Sequence, residues 1–384
     1  MENCFDQLRR PYWDTPLRDY RHTGISRVSE HCEGRNLRNK GLVERCIRHV
    51  SWASQRVWLV LEGHRWLCRQ CHRQFRERFP GVLKSQRSSE AFQQKVFRDH
   101  WDGINRSRVA ARERIASATV ERYCQYFLQR LAAERSRAPC PQVLGLDEHF
   151  FTRKHGYATT FCDLKNHSVY DVVLGRSQLA LQSYLEHLEG REQVQLVCMD
   201  LASAYRALVR HYFPQARIVA DRFHVIRMVN DHFLACWKQL HPEGPKNRGL
   251  LSLMRRHRYN LAFIQHQRLS AYLRQQPALE SIYRFKQRLC YLLLEKGRNQ
   301  KRCRDLASRF LRDIAALRCC GFAPLVALGN TLHAWREEIA TMWRFSRNNA
   351  ITEGFHNKME VLSRQAYGFR NFNNYRLRVK VLCS

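Results

Sequence analysis

Gln142-Val-Leu-Gly-Leu-Asp147, Tyr157-Ala-Thr-Thr-Phe-Cys-Asp163 and Ser168-Val-Tyr-Asp-Val-Val-Leu174 follow one another with only short polar links between them. Their β-branched and aromatic content marks a switch from a helical to an extended period. The links Lys154-His-Gly and Lys165-Asn-His are turn-like and join the runs into an antiparallel meander. Residues 178–188 then carry Leu181, Leu185 and Leu188 on one side of an amphipathic helix. Residues 193–200 read as a fourth strand, 202–212 as a helix and 216–221 as a fifth strand.

The order β-β-β-α-β-α-β matches the ribonuclease-H-like α/β fold, whose first and fourth strands lie side by side. That adjacency would bring Asp147, at the end of the first strand, to Asp200, at the end of the fourth. Asp221 ends the fifth strand and opens Asp-Arg-Phe-His224; with His224 it is either an auxiliary group or the cap of the next helix. Glu148 should face away from Asp147 along the strand.

Charge is distributed unevenly around this core. The net charge is +32, yet residues 141–224 hold nine basic and nine acidic side chains. Residues 1–140 hold 28 basic against 15 acidic, and residues 225–345 hold 22 against eight. Basic flanks on a neutral centre point to polyanion-binding modules attached to a reaction site, with double-stranded DNA the natural partner. No run approaches the roughly 20 apolar residues of a membrane span, and the N-terminus lacks a secretory pattern, so a cytoplasmic, nucleoid-associated protein is expected. The 15 cysteines are scattered, several in helical runs (Cys124, Cys236, Cys290, Cys319), which excludes a disulfide scaffold.

Upstream, residues 1–80 are read as a zinc-ribbon-like DNA-binding segment. Residues 56–61 and 64–68 read as strands about a turn at Glu62-Gly63, leading into Cys68-Arg-Gln-Cys71. Two thiolates at this spacing can share one structural Zn²⁺, with Cys46 and His49 as the expected second pair and Cys32 and His31 as rivals. Residues 81–140 are read as a helix-turn-helix domain. Val109 and Ala110 would pack its first helix, Ile115 would fill the turn, and Val120 and Tyr123 would face inward. Thr119 and Arg122 on the second helix, with Arg108 and Arg112 on the first, would face DNA. Residues 141–225 form the first part of the catalytic domain, 226–340 a basic helical insertion, and 341–384 the last catalytic helix and the C-terminal segment.

That last helix carries Thr352-Glu-Gly-Phe-His-Asn-Lys-Met-Glu-Val-Leu-Ser-Arg364. Glu353, Asn357 and Arg364 share one face, with Lys358 to one side, suiting contacts to a cation and to phosphate. Asp147, Asp200 and Glu353 together could hold two divalent ions, Mg²⁺ or Mn²⁺, against a phosphodiester.

The run from Thr352 to Arg378 closely resembles the C-terminal signature of bacterial insertion-sequence transposases of the ISL-three family. So do Gly145-Leu-Asp-Glu, Val172-Val-Leu-Gly-Arg-Ser177, Asp200-Leu-Ala-Ser-Ala-Tyr205 and Ala220-Asp-Arg-Phe-His-Val225. The resemblance implies a DDE centre at Asp147, Asp200 and Glu353, and a zinc segment, helix-turn-helix and helical insertion. It further implies binding to terminal inverted repeats, metal-dependent cleavage and joining, and a dimer or larger assembly on DNA. The chain departs from the family in having no clean CxxC upstream of Cys68. A nuclease that cleaves without joining and a catalytically silent DNA-binding regulator are the alternatives.

Overall fold

The computed structural model describes residues 16–17, 28–29, 31–52, 55–83, 85–135, 139–296, 299–345 and 350–383. The chain divides into two compact units, one up to Leu131 and one from Ala132 onward.

In the first unit a two-residue strand, β1 (Pro16–Leu17), and a short one, β4 (Gln74–Arg76), both pair with β3 (Gln55–Cys68). The body of the sheet is a long antiparallel hairpin of β2 (Leu37–Trp52) and β3, paired from Leu37↔Cys68 to Trp52↔Gln55. The turn expected at Glu62-Gly63 is absent; both residues are extended and pair with Glu44 and Val43. Gly63 serves packing instead, because a Cβ there would lie 2.7 Å from Phe79 Cζ.

Three helices follow, α1 (Glu90–Trp101), α2 (Arg106–Glu113) and α3 (Ser117–Arg135). Asn105 caps α2 by accepting from Arg108 N at 2.9 Å, and Arg114 in the left-handed region ends it. Phe92 and Val96 of α1 close over Val109, Ala110, Val120 and Tyr123, with Ile115 packed at the turn. Cys124 completes the cluster, and Val50 of β2, Phe97 and Ile104 pack against it from its edges.

The second unit is a mixed α/β structure on a five-stranded sheet of order β7-β6-β5-β8-β9. Strands β5 (Val143–Thr152), β6 (Gly156–Asp163) and β7 (Ser168–Leu174) form the antiparallel meander. Strands β8 (Leu196–Met199) and β9 (Arg217–Ala220) extend it in parallel. Helix α4 (Gln178–Glu186) crosses from β7 towards β8, and α5 (Ser203–Tyr212) connects β8 to β9. This arrangement is compatible with a ribonuclease-H-like core.

Helix α6 (Arg222–Leu240) leaves β9 directly. The helices after it divide between two cores rather than forming one appendage. Helices α7 (Arg248–Arg255), α8 (Phe263–Arg274) and much of α9 (Pro277–Leu294) surround Trp237 in a small core of their own. Helices α10 (Gln300–Arg318), α11 (Ala323–Ala334) and α12 (Arg336–Arg344) join the sheet core through Phe310, Leu328, Ile339 and Trp343. An ion pair of 2.7 Å between Arg206 of α5 and Glu338 of α12, both largely buried, fixes that docking.

Helix α13 (Ala350–Gln365) lies against β5, with Thr352, Phe355, Met359 and Leu362 as its buried stripe. Helix α14 (Phe372–Leu382) packs on β7, where Arg376 grips the buried Asp171 through two hydrogen bonds of 2.7 and 2.6 Å. Among the described residues, no helix is long and apolar enough to cross a membrane.

Candidate active site and thiolate cluster

Strand register creates the site. The pairing of Gly145 with Cys198, continued by two residues, sets Asp200 opposite Asp147. The pairing of Met199 with Ala220, continued by one, sets Asp221 opposite Asp200, and Asp221 N donates to Met199 O at 2.7 Å. Three aspartates therefore share one row across the sheet. Asp200 and Asp221 stand just past the carboxyl ends of β8 and β9, where open α/β sheets place their ligands. Asp147 stands midway along β5, which runs on to Thr152 rather than ending at the aspartate.

Each aspartate has a different environment. Asp221 is buried and caps α6, accepting from Phe223 N at 3.4 Å, with His224 Nε2 3.6 Å away. Asp147 is 9% exposed and accepts from Glu148 N at 2.9 Å. Burial first, then the charges of Asp200 and Asp221, push the Asp147 carboxyl up to about 6, against the pull of the Glu148 N–H and His224. Burial also raises Asp200, with Glu148 and Asp221 adding to the rise and His224 opposing it. Asp200 Oδ1 is buried without a hydrogen-bond partner. Glu148 turns to Arg176, 3.3 Å away.

Glu353 is exposed on α13, three residues before His356. His356 Nδ1 lies 3.8 Å from Asp147 Oδ2, and Glu353 precedes His356 by about one helical turn, roughly 4.5 Å along the axis of α13. The oxygens of Asp147, Asp200 and Glu353 do not all come within 4.8 Å of one another. Asn357, Lys358 and Arg364 are exposed on the same helix, with Arg364 paired to Glu360.

The residue set fits a divalent cation. The acids offer hard oxygen donors, one with an unmatched lone-pair face, and their mutual repulsion is what a cation would relieve.

Behind Asp147 runs a chain of neutral polar groups that the sequence does not announce. Tyr375 OH meets His149 Nε2 at 2.8 Å, His149 Nδ1 meets Thr160 Oγ1 at 3.0 Å, and Thr160 Oγ1 meets His356 Nε2 at 3.1 Å. Burial pulls His149 down to about 3, with His356 adding to the effect, and pulls His356 down to about 4. Both rings are therefore neutral, and the approach of His356 to Asp147 is not an ion pair. One set of tautomers satisfies every contact: Tyr375 donates to His149, His149 to Thr160, Thr160 to His356, and the His356 Nδ1–H points at Asp147. The available signal was alternation, which puts His149 on the face of Asp147, and cross-strand pairing, which puts Thr160 opposite Asp147.

In the first unit the cysteine prediction divides. Cys68 and Cys71 do lie together, but their companion is Cys32, with all three sulfurs within 4.8 Å of one another. Cys46 and His49 are not there. Cys46 pairs with Val60 while Cys68 pairs with Leu37, nine residues along the strand and roughly 30 Å away at about 3.3 Å per residue. His49 bonds Ser89 Oγ at 2.8 Å, beside the start of α1. His31, the other rival, contacts Arg73. Backbone N–H groups of Cys71 and Gln70, with the neighbouring thiols, bring Cys68 down to about 6. Three such thiols suit zinc.

Arg108 and Arg122 are exposed on the helical pair, Thr119 is half-buried beside Arg122, and Arg112 is tied to Asp99. In the helical region of the second unit, a cavity of about 540 Å³ between α8 and α9 is lined by His257, Tyr259, Arg284, Arg288 and Tyr291.

The second unit thus sets a row of acids across its sheet in a strongly basic chain. The family model described as "Transposase", of the DDE ISL-three type, matches residues 144–379, and the chain belongs to that family. The chain is similar to the transposase for insertion sequence element IS1001 of Bordetella parapertussis. The two are 25% identical over 376 residues, covering 92% of this chain and 88% of that protein.

Proposed function

We propose that the chain binds the terminal inverted repeats of its own insertion sequence, cuts there to free a 3′-hydroxyl, and joins that hydroxyl to target DNA. In this reading a ribonuclease-H-like core carries the chemistry, with Asp147, Asp200 and Glu353 as its ligands for two Mg²⁺ or Mn²⁺ ions. The observation that carries it is the buried, unpartnered Asp200 Oδ1 beside an Asp147 carboxyl raised to about 6. Divalent ions held there would supply Lewis acidity, favouring attack by water in the cut and by the freed 3′-hydroxyl in the joining, and offsetting charge on the leaving 3′-oxygen.

The protein groups have separate tasks. Glu148 N–H and the neutral His356 orient Asp147, and a neutral imidazole does so without a charge that competes with the cation. Asp221 fixes the start of α6, with His224 next to it, and supports the ligands rather than joining them. Helix α13 carries Glu353 towards the aspartate row, and Asn357, Lys358 and Arg364 on its exposed side meet phosphate. The helix-turn-helix, through Arg108, Arg112, Thr119 and Arg122, reads the element ends, next to a zinc-bearing hairpin. The basic insertion holds flanking or target DNA. Two ends must be brought together, so a dimer or larger assembly forms on DNA.

The test is Mg²⁺-dependent nicking and strand joining on DNA carrying the element's ends, comparing wild type with Asp200→Ala. Joined product from wild type alone supports the proposal. Cleavage without joining makes the protein a nuclease, and tight binding without cleavage makes it a regulator.

A further inference from the structure

Two turns in the first unit are built alike. In one, Ser29 N donates to Gly34 O at 2.9 Å; in the other, Cys68 N donates to Arg73 O at 3.0 Å. Both bonds span five residues. Each turn has a left-handed residue at its fifth position, Glu33 at φ 55° and His72 at φ 54°. The second turn presents sulfur at its first and fourth positions, Cys68 and Cys71. The first turn presents Cys32 at its fourth position and a serine, Ser29, at its first.

The four side chains meet. Cys32 Sγ lies 3.5 Å from Cys68 Sγ, and Ser29 Oγ lies 3.6 Å from Cys71 Sγ. The Ser29 hydroxyl also bears on the Cys32 thiol. Ser29 is 1% exposed, so its hydroxyl is held inside the cluster rather than in water. The turns abut so closely that a Cβ on Gly34 would run into the Gln70 side chain and lie 3.2 Å from Cys32 Sγ.

We propose that Ser29 is the fourth corner of this site, giving Zn²⁺ three thiolates and one hydroxyl oxygen. A neutral hydroxyl donates less to zinc than a thiolate, so the site holds its metal more weakly and exchanges it faster than a four-cysteine site. The metal is then a removable part of the hairpin. This inference rests on the reading that the three thiolates bind zinc and is independent of the carboxylate site.

The experiment uses the full-length protein, with Zn²⁺ affinity measured by chelator competition and donor count read from the Co²⁺-substituted protein. Thiolate-to-Co²⁺ charge-transfer absorption grows with each Co–S bond. Wild type should show three such bonds and Ser29→Cys four, with Zn²⁺ bound at least about tenfold more tightly in the variant, since even indirect ligand partners are worth that much. Ser29→Ala should bind Zn²⁺ more weakly than wild type, and Cys46→Ser should match it. Metal bound by wild type but unaffected by either change at Ser29 overturns the role of Ser29 while leaving the zinc reading intact. No metal in any variant, with Cys32 and Cys68 recovered as a disulfide, overturns both.

Discussion

Replacing Asp147 with asparagine should stabilise the metal-free protein while abolishing its chemistry. The Asp147 carboxyl stands at about 6 against an ordinary 3.8, so the folded state binds its proton more tightly than the unfolded chain does. Below pH 3.8 this group costs nothing. As pH rises from 3.8 through 6 the cost grows, and above 6 it stays at its full value of about 3 kcal/mol. At about pH 5 the same arithmetic gives about half of that. Asparagine keeps the Oδ1 acceptor for Glu148 N–H and carries no charge. Denaturant unfolding with a chelator present should therefore show Asp147→Asn more stable than wild type, by about 3 kcal/mol at pH 7.5 and about half that at pH 5. Millimolar Mg²⁺ should stabilise wild type and leave the variant unchanged. A variant no more stable than wild type at pH 7.5, or a gap that does not widen with pH, would refute the reasoning.

Two further outcomes are expected. Arg376→Ala leaves the buried Asp171 with the Val172 N–H at 2.8 Å and Lys380 at 3.3 Å, and should lower stability by about 3 kcal/mol in thermal or denaturant unfolding; a loss below about 1 kcal/mol would show that these two partners suffice. Arg108→Ala combined with Arg122→Ala should weaken binding to the element ends and reduce the slope of log affinity against log salt by about 2, from two lost phosphate contacts. An unchanged slope in a fluorescence titration would remove the helical pair from the DNA interface.

The aspartate row was legible because strand order and alternation are local signals: apolar runs end on Asp147 and Asp200, and the parallel pairing of β5 with β8 does the rest. The core shared by α2 and α3 was legible for the same reason, since Val109, Val120 and Tyr123 follow helical spacing. What failed depended on distance through the fold. Cys46 stands at a plausible spacing from Cys68, but a strand of 14 residues separates the far ends of the hairpin, and spacing carries no information about which way the chain runs. Gly63 reads as a turn residue, and only the position of Phe79 reveals that it is an extended residue without room for a side chain. In the Tyr375–His149–Thr160–His356 chain, alternation and strand pairing reach His149 and Thr160, but no local pattern reaches Tyr375 or His356 on α14 and α13.

Helices α5 and α6 both begin where a strand has just delivered an aspartate, at Ser203 after Asp200 and at Arg222 after Asp221. Each helix start carries about half a positive charge from its aligned peptide dipoles. The crowded acids therefore sit against two fixed patches of backbone positivity that no titration can remove. Phe223 N already donates to Asp221 and the Ala202 N–H bears on Asp200, so this positivity is directed at the acids themselves and lets the fold hold them together before any ion arrives.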